Sequence, residues 1–403
     1  MNRPVFFVIF VMLLGPVTVA PAATSFTQAL TSGNVHLGFR YRVELVDQNG
    51  HPDKAAASTL RTRLKFRSAG YNGFSLFAEL DNVAYLGNDR FNNLRNGESS
   101  YPVVADPDGT DINQFYIDLQ LADVLFRFGR QRINLDNQRF LGGVGWRQNE
   151  QTYDAATIRS TGFANIVASY TYIDNVSRIF GPDKGMPAKD IDSTSHILNF
   201  KFEKKGIGQL VGYGYFLDLT DSPALSNRTI GMRYSRTFSI DDNWSLPLVL
   251  EYASQQDYGN NPVSYSANYY LVETGVSTAG VNLTLGYEIL GGDASPDGKA
   301  FITPLATLHK FQGWNDKFLS TPGAGIRDIY ARISGKILGT RSALVYHRFS
   351  AAEGGADYGA ELDISVSKKI SNHWSVLLKY SLYREDGFAA DTTKTWAMIT
   401  ASF

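Results

Sequence analysis

Residues 58–67 have the sequence Ser-Thr-Leu-Arg-Thr-Arg-Leu-Lys-Phe-Arg, in which basic side chains alternate with mostly apolar ones. Alternation with a period of two is typical of a β-strand whose two faces meet different surroundings. At the midplane of a bilayer each Arg or Lys turned toward lipid costs about 2–4 kcal/mol, so these four would cost roughly 8–16 kcal/mol. We therefore expect the basic face of this strand to meet water and the apolar face to meet lipid.

The same pattern precedes this stretch and recurs along the chain. In Asn34–Asp47, Val35, Leu37 and Phe39 alternate with polar or small residues. About 18 segments of this kind can be found, most of about ten residues, which is the length that a tilted strand needs to cross a bilayer. We expect each of them to be a membrane-crossing strand.

The connections between these segments are short and long in turn. Ala122–Asp123 and Gly339–Arg341 are short, whereas Leu86–Thr110, Asn134–Thr152 and Gly291–Arg327 are long and polar. Outer-membrane barrels have short periplasmic turns and longer outer loops, and a soluble sandwich has no reason to sort its connections in this way. The predicted fold is all-β, a transmembrane antiparallel β-barrel of about 18 strands with short periplasmic turns and long outer loops.

The two ends of the sequence fit export to the outer membrane of a Gram-negative bacterium. Residues 1–22 are predicted to be a signal peptide, because an apolar run at Val5–Leu14 precedes the small residues Ala20-Pro21-Ala22. Residues 23–403 are predicted to form a single barrel domain. The last predicted strand ends in Phe403 and resembles the signal by which bacterial barrel-assembly machinery recognises its clients.

Composition excludes several classes of function. A formal net charge of −1 argues against nucleic-acid binding. The six histidines are scattered and no Gly-x-Ser-x-Gly motif accompanies them, so we expect no enzyme. We also expect no cofactor and no metal site. A barrel of 16–18 strands leaves an aqueous lumen, so the expected function is that of a passive channel.

The basic face of the first two strands allows two interpretations. A ring of Arg and Lys concentrates anions and favours their passage. Alternatively, the same side chains pair with acids on neighbouring strands and stiffen the wall. We favour the first, with acids mostly on another wall of the lumen. We then expect Arg61→Glu with Arg63→Glu to shift ion preference toward cations without preventing folding.

A motif follows the predicted fifth strand. It comprises Gly129-Arg130-Gln131, then Arg139 and Gly142, then Trp146, and finally Tyr153-Asp154. The motif resembles the signature of the alginate-export family of bacterial outer-membrane β-barrel channels. The resemblance implies an Arg-rich constriction with interspersed acids that passes a polyuronate outward. From the residues alone, this long segment is either a constriction inside the pore or a surface loop beside lipopolysaccharide.

Together these considerations predict a substrate path. The predicted pore-lining residues are Arg40, Arg42, Arg61, Arg63, Lys65, Arg67, Asp118, Arg127, Arg130, Arg132, Arg139, Arg147, Asp154, Glu288, Arg332, Glu361 and Asp363.

The expected substrate is an anionic polysaccharide or a small anionic solute. One alternative is a porin that takes up small organic acids or aromatic compounds. Another is a structural or adhesin barrel plugged by Asn134–Thr152 and Gly291–Arg327. The expected partners are outer-membrane lipid, lipopolysaccharide and the barrel-assembly machinery, with no nucleic acid, and the protein is expected to be a monomer.

Overall fold

The computed structural model describes residues 23–87, 89–183, 185–295 and 298–403. The predicted signal peptide lies outside them, and the bounds of a single mature domain stay a prediction. The strands form one antiparallel sheet of 18 strands. The first strand pairs with both the second and the last, so the sheet closes on itself. The predicted antiparallel β-barrel and its strand number are confirmed.

The strands agree closely with the predicted segments. Their bounds are β1 Asn34–Gln48, β2 Ala55–Arg67, β3 Phe74–Tyr85, β4 Gly109–Leu121, β5 Val124–Gln131, β6 Thr152–Phe163, β7 Ile166–Ser177, β8 Asp190–Lys204, β9 Gly208–Leu217, β10 Asn227–Ser239, β11 Trp244–Asp257, β12 Ser266–Thr278, β13 Val281–Leu290, β14 Ile326–Ile337, β15 Thr340–Ser350, β16 Asp357–Lys369, β17 Trp374–Arg384 and β18 Thr392–Ser402.

Helical structure is sparse in the described residues. One short helix, α1 (Phe26–Thr31), precedes the barrel and is capped by the Ser25 hydroxyl, which accepts a hydrogen bond from the Gln28 amide. Single 3-10 turns occur at Pro223–Leu225 and Leu308–Lys310. No helix in the described ranges is long and apolar enough to cross a membrane.

Burial alternates along the strands as the sequence pattern predicts. In β1, Arg42 is 1% exposed and faces the interior, whereas Val35 and Leu45 are exposed on the outside. In β13, Leu283, Leu285 and Tyr287 are likewise exposed. The outer surface is therefore an apolar belt, as contact with lipid requires, and the charged side chains of the strands mostly lie inside.

The connections sort by length as predicted, so that the barrel has a short-turn end and a long-loop end. Short turns join β4 to β5 and β14 to β15, and both ends of the described chain lie at the same end as these turns. Two of the long connections turn back into the barrel. Residues 132–151 are the first inner loop, and residues 291–325 are the second inner loop.

Candidate functional site: the barrel lumen

The two inner loops meet inside the barrel and are hydrogen-bonded to each other. The Gly142 amide donates to the Leu305 carbonyl at 2.9 Å, and the Thr307 amide donates to the Gln138 carbonyl at 3.1 Å. A Cβ atom at Gly142 would lie 2.2 Å from the Thr307 hydroxyl oxygen, so this close approach requires glycine. Of the two interpretations of the segment after β5, the structure agrees with a constriction inside the pore.

Two arginines of β1 hold the first inner loop against the wall. The Arg40 guanidinium donates to the Gly145 carbonyl at 2.8 Å and to the Gln148 side-chain oxygen at 3.0 Å. Arg42 donates to the Trp146 carbonyl at 2.6 Å and also forms an ion pair with Asp106. Both arginines are buried. They serve as anchors for the loop and are not free charges in the lumen.

A network of ion pairs joins β2 and β3 to the first inner loop. Glu150 accepts hydrogen bonds from Arg61 at 3.3 Å and from Arg63 at 3.1 Å, and its other oxygen accepts one from Arg132 Nε at 2.6 Å. Arg63 also forms a two-bond pair with Asp81, with Nε 2.6 Å from Oδ1. Burial raises the pKa of Glu150, but the charges of these three arginines hold it well below its ordinary value.

Nearer the short-turn end, the cations pair across neighbouring strands. Lys65 lies 3.5 Å from Glu79. Asp118 contacts Arg127 at 2.5 Å and Arg67 at 3.5 Å, and the Arg127 guanidinium lies 3.8 Å from the ring centroid of Tyr116. These contacts fix the direction of the side chains on this part of the wall.

The expected separation of a basic wall from an acidic wall is wrong for β2 to β5. The strand register places Asp81 opposite Arg63, Glu79 opposite Lys65, and Asp118 opposite Arg127. Directly opposed residues of unlike charge stabilise an antiparallel pair. The interpretation in which Arg and acids pair and stiffen the wall therefore describes this region, although Arg40 has no carboxylate within ion-pair distance among the described residues.

Arg130 and Asp154 differ from their predicted position. Gln131 and Tyr153 are opposite each other in the strand register, and both side chains are fully buried toward the lumen. Arg130 precedes Gln131 and Asp154 follows Tyr153, so these two side chains face away from the lumen. The two form a bidentate pair, with Nε 2.8 Å from Oδ1 and Nη2 2.6 Å from Oδ2. Gly129 has φ +137°, and a Cβ there would lie 1.6 Å from the Phe115 carbonyl oxygen. The motif at this point shapes the wall and does not line the pore.

The two inner loops are bound to each other and to the barrel wall by charged and aromatic contacts. Arg139 Nε lies 2.8 Å from Glu288 of β13, and both are buried. Trp146 stacks on His309, with ring centroids 4.6 Å apart and an interplanar angle of 7°. Lys379 of β17 lies 3.7 Å from the ring centroid of Trp314 and 4.1 Å from that of Trp146.

A chain of polar contacts extends from this aromatic group. Lys379 Nζ lies 2.8 Å from His309 Nε2, and His309 Nδ1 lies 2.8 Å from Asp316 Oδ1. Asp316 also contacts Arg147 at 3.1 Å and Lys394 at 2.8 Å. Burial and the Lys379 charge lower the pKa of His309 to about 3, so the ring is neutral at pH 7. Burial opposes ionisation of Asp316, but Lys394 and His309 hold its pKa well below the usual range.

The acids of β16 face the second inner loop and not an open passage. Glu361 Oε1 accepts hydrogen bonds at 2.8 Å from the Asn315 amide and from the Ser381 hydroxyl. Asp363 accepts one at 3.2 Å from the Trp314 amide. Arg332 is more exposed; it lies 3.7 Å from Glu273 and lines a cavity of about 350 Å³ beside the second inner loop.

A larger cavity, of about 470 Å³, opens among the long loops above this constriction; we call it the outer pocket. It combines apolar and basic side chains. Its apolar lining includes Val103, Val144, Ile179, Phe180, Leu225, Leu308 and Leu319, and its basic lining includes Arg147, Arg178, Lys317 and Lys394. Arg147 and Lys394 pair with Asp316, whereas no ion pair of Arg178 or Lys317 is found in the described part of the chain. The outer pocket can therefore hold a small anion with an apolar body.

Several residues of this site were not predicted. Glu150 and Asp106 were missed, although Glu150 lies between the motif residues Trp146 and Tyr153 and its charge could have suggested a partner for the arginines. The sequence has no recognisable motif around Lys379 of β17, or around His309 and Lys317 of the second inner loop. Their role depends on how the second inner loop folds, which alternation does not determine.

Comparison with known proteins finds a family model that matches part of this barrel. Residues 36–172 match the model of the alginate export family. The match confirms the predicted resemblance. It covers β1 to β6, the first inner loop and most of β7, which include the Arg network and the motif. No curated protein matches the chain.

The barrel as a whole is similar to solved outer-membrane structures. OccK9 (OpdG) of Pseudomonas aeruginosa has a TM-score of 0.72 and 17% identity, covering 93% of this chain and 99% of that chain. OpdK of the same organism, in a structure with vanillate, has a TM-score of 0.71, 14% identity and the same coverage. OccAB4 of Acinetobacter baumannii has a TM-score of 0.70 and 14% identity, covering 92% and 98%. At these identities the likeness shows the fold.

The fold and the partial family match agree on a location in the outer membrane. The chain folds as an outer-membrane β-barrel, and the partial family match and the fold both support the predicted role of a passive channel. The short-turn end therefore faces the periplasm and the long-loop end faces the outside. The outer pocket lies on the outer side of the inner loops.

Proposed function

We propose that the channel takes up small organic acids from outside the cell. The observation that carries this proposal is the outer pocket, in which an apolar wall and the cations Arg178 and Lys317 line the same cavity of about 470 Å³. A carboxylate would pair with the cations, and an aromatic or aliphatic body would cover the apolar side chains. A volume of this size suits a single small molecule and not a folded polymer.

The inner loops support a small solute over a polymer. They are joined at the Gly142–Leu305 and Thr307–Gln138 hydrogen bonds and are fastened to β1, β13 and β17. A polysaccharide chain would have to displace these buried contacts along its whole length. A small acid needs only a gap beside them.

The structural relatives support the same class of solute. OpdK, which shares the fold, has been solved with vanillate, an aromatic acid. A barrel of this shape therefore accommodates such a solute in at least one case. The identity of 14% means that this likeness supports the proposal through the fold and not through shared residues.

Export of an anionic polysaccharide is the second candidate. The match to the alginate export family over residues 36–172 favours it. In this case the arginines of β1 and β2 would form the passage, and the inner loops would have to move aside. The two candidates differ in whether an oligouronate or a small acid interacts with the lumen.

Single-channel recording on the refolded full-length chain separates the two candidates. Benzoate is added on the outer side in a KCl solution, and an oligouronate is added in a parallel experiment. We expect benzoate to reduce the chloride current reversibly and the oligouronate to have no effect at equal carboxylate concentration. The reverse pattern would overturn uptake of small acids in favour of polysaccharide export.

A pair of double variants tests the outer pocket itself. Arg178→Gln with Lys317→Gln removes the two cations of the pocket that form no ion pair among the described residues, and we expect benzoate affinity to fall about tenfold, as loss of a charge-assisted contact implies. Lys54→Gln with Arg384→Gln is the matched control, because these exposed cations lie outside the pocket. An equal loss in both variants would mean that general surface charge, and not the pocket, attracts the anion.

A further inference from the structure

Three cations lie close together where β14 to β16 reach the periplasmic end of the barrel. Lys336 of β14 is directly opposite Arg341 of β15, and Arg341 is opposite Ser367 of β16. Lys369 follows Ser367 by two positions on the same face of β16. We call Lys336, Arg341 and Lys369 the periplasmic cluster.

The periplasmic cluster faces the lumen. In β14, Ile333 and Ile337 are exposed on the lipid side. Lys336 directly precedes Ile337, and successive side chains of a strand point to opposite faces, so Lys336 points inward. In β16, Ile364 and Val366 are exposed on the lipid side, which places Lys369 inside. Arg341 shares the face of its partner Lys336, because directly opposed residues in an antiparallel pair lie on the same side of the sheet.

The cluster borders a cavity of about 760 Å³ that offers an anion several ligands and no opposing charge. Hydroxyl groups of Ser367, Ser375, Thr400 and Ser402 line it. The residues that line it include no Asp or Glu, and the described residues provide no ion pair for the three cations. This distinguishes the periplasmic cluster from β2 to β5, where the register places an acid opposite Arg63, Lys65 and Arg127.

Like charges directly opposite each other destabilise an antiparallel pair. The repulsion between Lys336 and Arg341 therefore destabilises this strand pair, and no acidic side chain that lines the cavity offsets it. A bound anion with more than one negative charge would offset it. We propose that the periplasmic cluster is a second anion-binding site of the channel, which takes a small polycarboxylate at the periplasmic end of the lumen.

The site lies on another wall from the Arg network and on the opposite side of the inner loops from the outer pocket. It extends the function proposed above, since an acid that passes the constriction meets a second set of cations before release. It does not depend on the outer pocket, and a polycarboxylate added from the periplasmic side reaches it directly.

Citrate block of the KCl current tests this site. Citrate is added first to one side and then to the other side of a bilayer that contains single channels of the full-length chain. We expect block at low concentration from the periplasmic side only. In Lys336→Gln/Arg341→Gln/Lys369→Gln the half-blocking concentration should rise about tenfold, within the range by which local charge concentrates ions.

A matched triple variant provides the control. Lys204→Gln/Lys205→Gln/Arg236→Gln removes the same charge at the same end of the barrel, away from the cluster. We expect its citrate block to stay within about twofold of that of the unmodified chain, because general surface potential is screened over about 10 Å at 0.1 M salt. Equal weakening of block in the two triple variants would overturn the site, as would unchanged block in the cluster variant.

Two further measurements keep the result interpretable. If the triple cluster variant does not fold, as judged by heat-modifiable gel mobility, Lys369→Gln alone is used, because Lys369 faces the uncharged Ser375. The outer-pocket variant Arg178→Gln/Lys317→Gln should keep its citrate block. Absence of any benzoate effect on the unmodified chain, with citrate block retained, would overturn the proposed uptake function and leave the periplasmic site in place.

Discussion

Lys379 Nζ lies 2.8 Å from His309 Nε2, with the side chains of three tryptophans around the ammonium group. This contact joins the barrel wall to the second inner loop, and Trp146 brings the first inner loop to the same point. A cation–π contact contributes up to about 2 kcal/mol when it is desolvated. Lys379 is therefore one of the wall residues that hold both inner loops in place.

Lys379→Met should loosen both inner loops. The variant keeps the apolar stem but removes the charge that the tryptophans and His309 contact. We expect larger and noisier single-channel currents and faster proteolysis within residues 291–325, with the barrel still folded. Lys54→Met, at an exposed position away from the inner loops, is the control. Currents and cleavage equal to those of the unmodified chain would show that Lys379 does not hold the loops.

Acidification should weaken the same contact. The pKa of His309 is lowered by burial and by Lys379 to about 3, whereas a released loop would have an ordinary histidine pKa near 6.5. The released state therefore binds more protons as pH falls below 6.5. The stability of the packed state relative to the released state then falls by up to about 1.4 kcal/mol per pH unit. Asp316 stays ionised over pH 6.5–4.5, since its pKa is held well below its usual range by Lys394 and His309 despite burial.

The measurement for this prediction is the open-channel noise between pH 6.5 and pH 4.5. We expect it to rise as pH falls, and His309→Gln, which cannot gain a proton, should remove the rise. A rise of the same size in His309→Gln would assign the effect to another group.

Benzoate affinity should fall as pH rises through about 8. Burial and the nearby Lys394 lower the pKa of Lys317 to about 8, so its charge is present at pH 7 and mostly lost at pH 9. We expect benzoate block to weaken over this interval. Lys317→Arg should keep the block constant, because arginine stays charged. A constant affinity in the unmodified chain would exclude Lys317 as the carboxylate ligand.

Arg61→Glu with Arg63→Glu is expected to do more than change ion preference. Arg63 is held by Asp81 and Glu150, and Arg61 also contacts Glu150, so two new acids would meet at least two existing ones in a buried site. Removing one partner of a buried pair alone costs about 3–5 kcal/mol. We now expect the first inner loop to leave the wall. Arg61→Gln, which leaves Arg63 paired, is the variant in which reversal potentials report selectivity.

Loss of the loop from the wall in the double variant should appear as proteolysis within residues 132–151. Lys54→Glu with Arg384→Glu, which reverses two exposed charges, is the control. A double variant that resists the protease and shifts only its reversal potential would support free lumenal charges at Arg61 and Arg63.

The barrel could be predicted because membrane-crossing strands obey a simple rule. Val35 and Leu45 must meet lipid and Arg42 must not, so alternation defines the faces of β1 without tertiary information. The same rule places Arg130 on the opposite face from Arg127, and the prediction that Arg130 lines the pore came from the motif and not from the alternation.

The site could be predicted only in part, because its contacts join distant segments. The arginines of β1 and β2 were identified, but Arg42 is paired with Asp106 and Arg61 with Glu150, both of them in loops. Arg139 meets Glu288 across the lumen. Register within the sheet follows from neighbouring strands, whereas the path of a loop of about twenty residues follows from packing that no local pattern encodes.

The hydrogen bonds between Gly142 and Leu305 and between Thr307 and Gln138 tie together two loops that are far apart in sequence. As a result the two loops form a single mechanical unit. A solute that pushes one must shift the other, and opening requires the contacts of both to break in one step. The channel should therefore switch between discrete current levels and not widen gradually, and a substitution in either loop should alter the same transition.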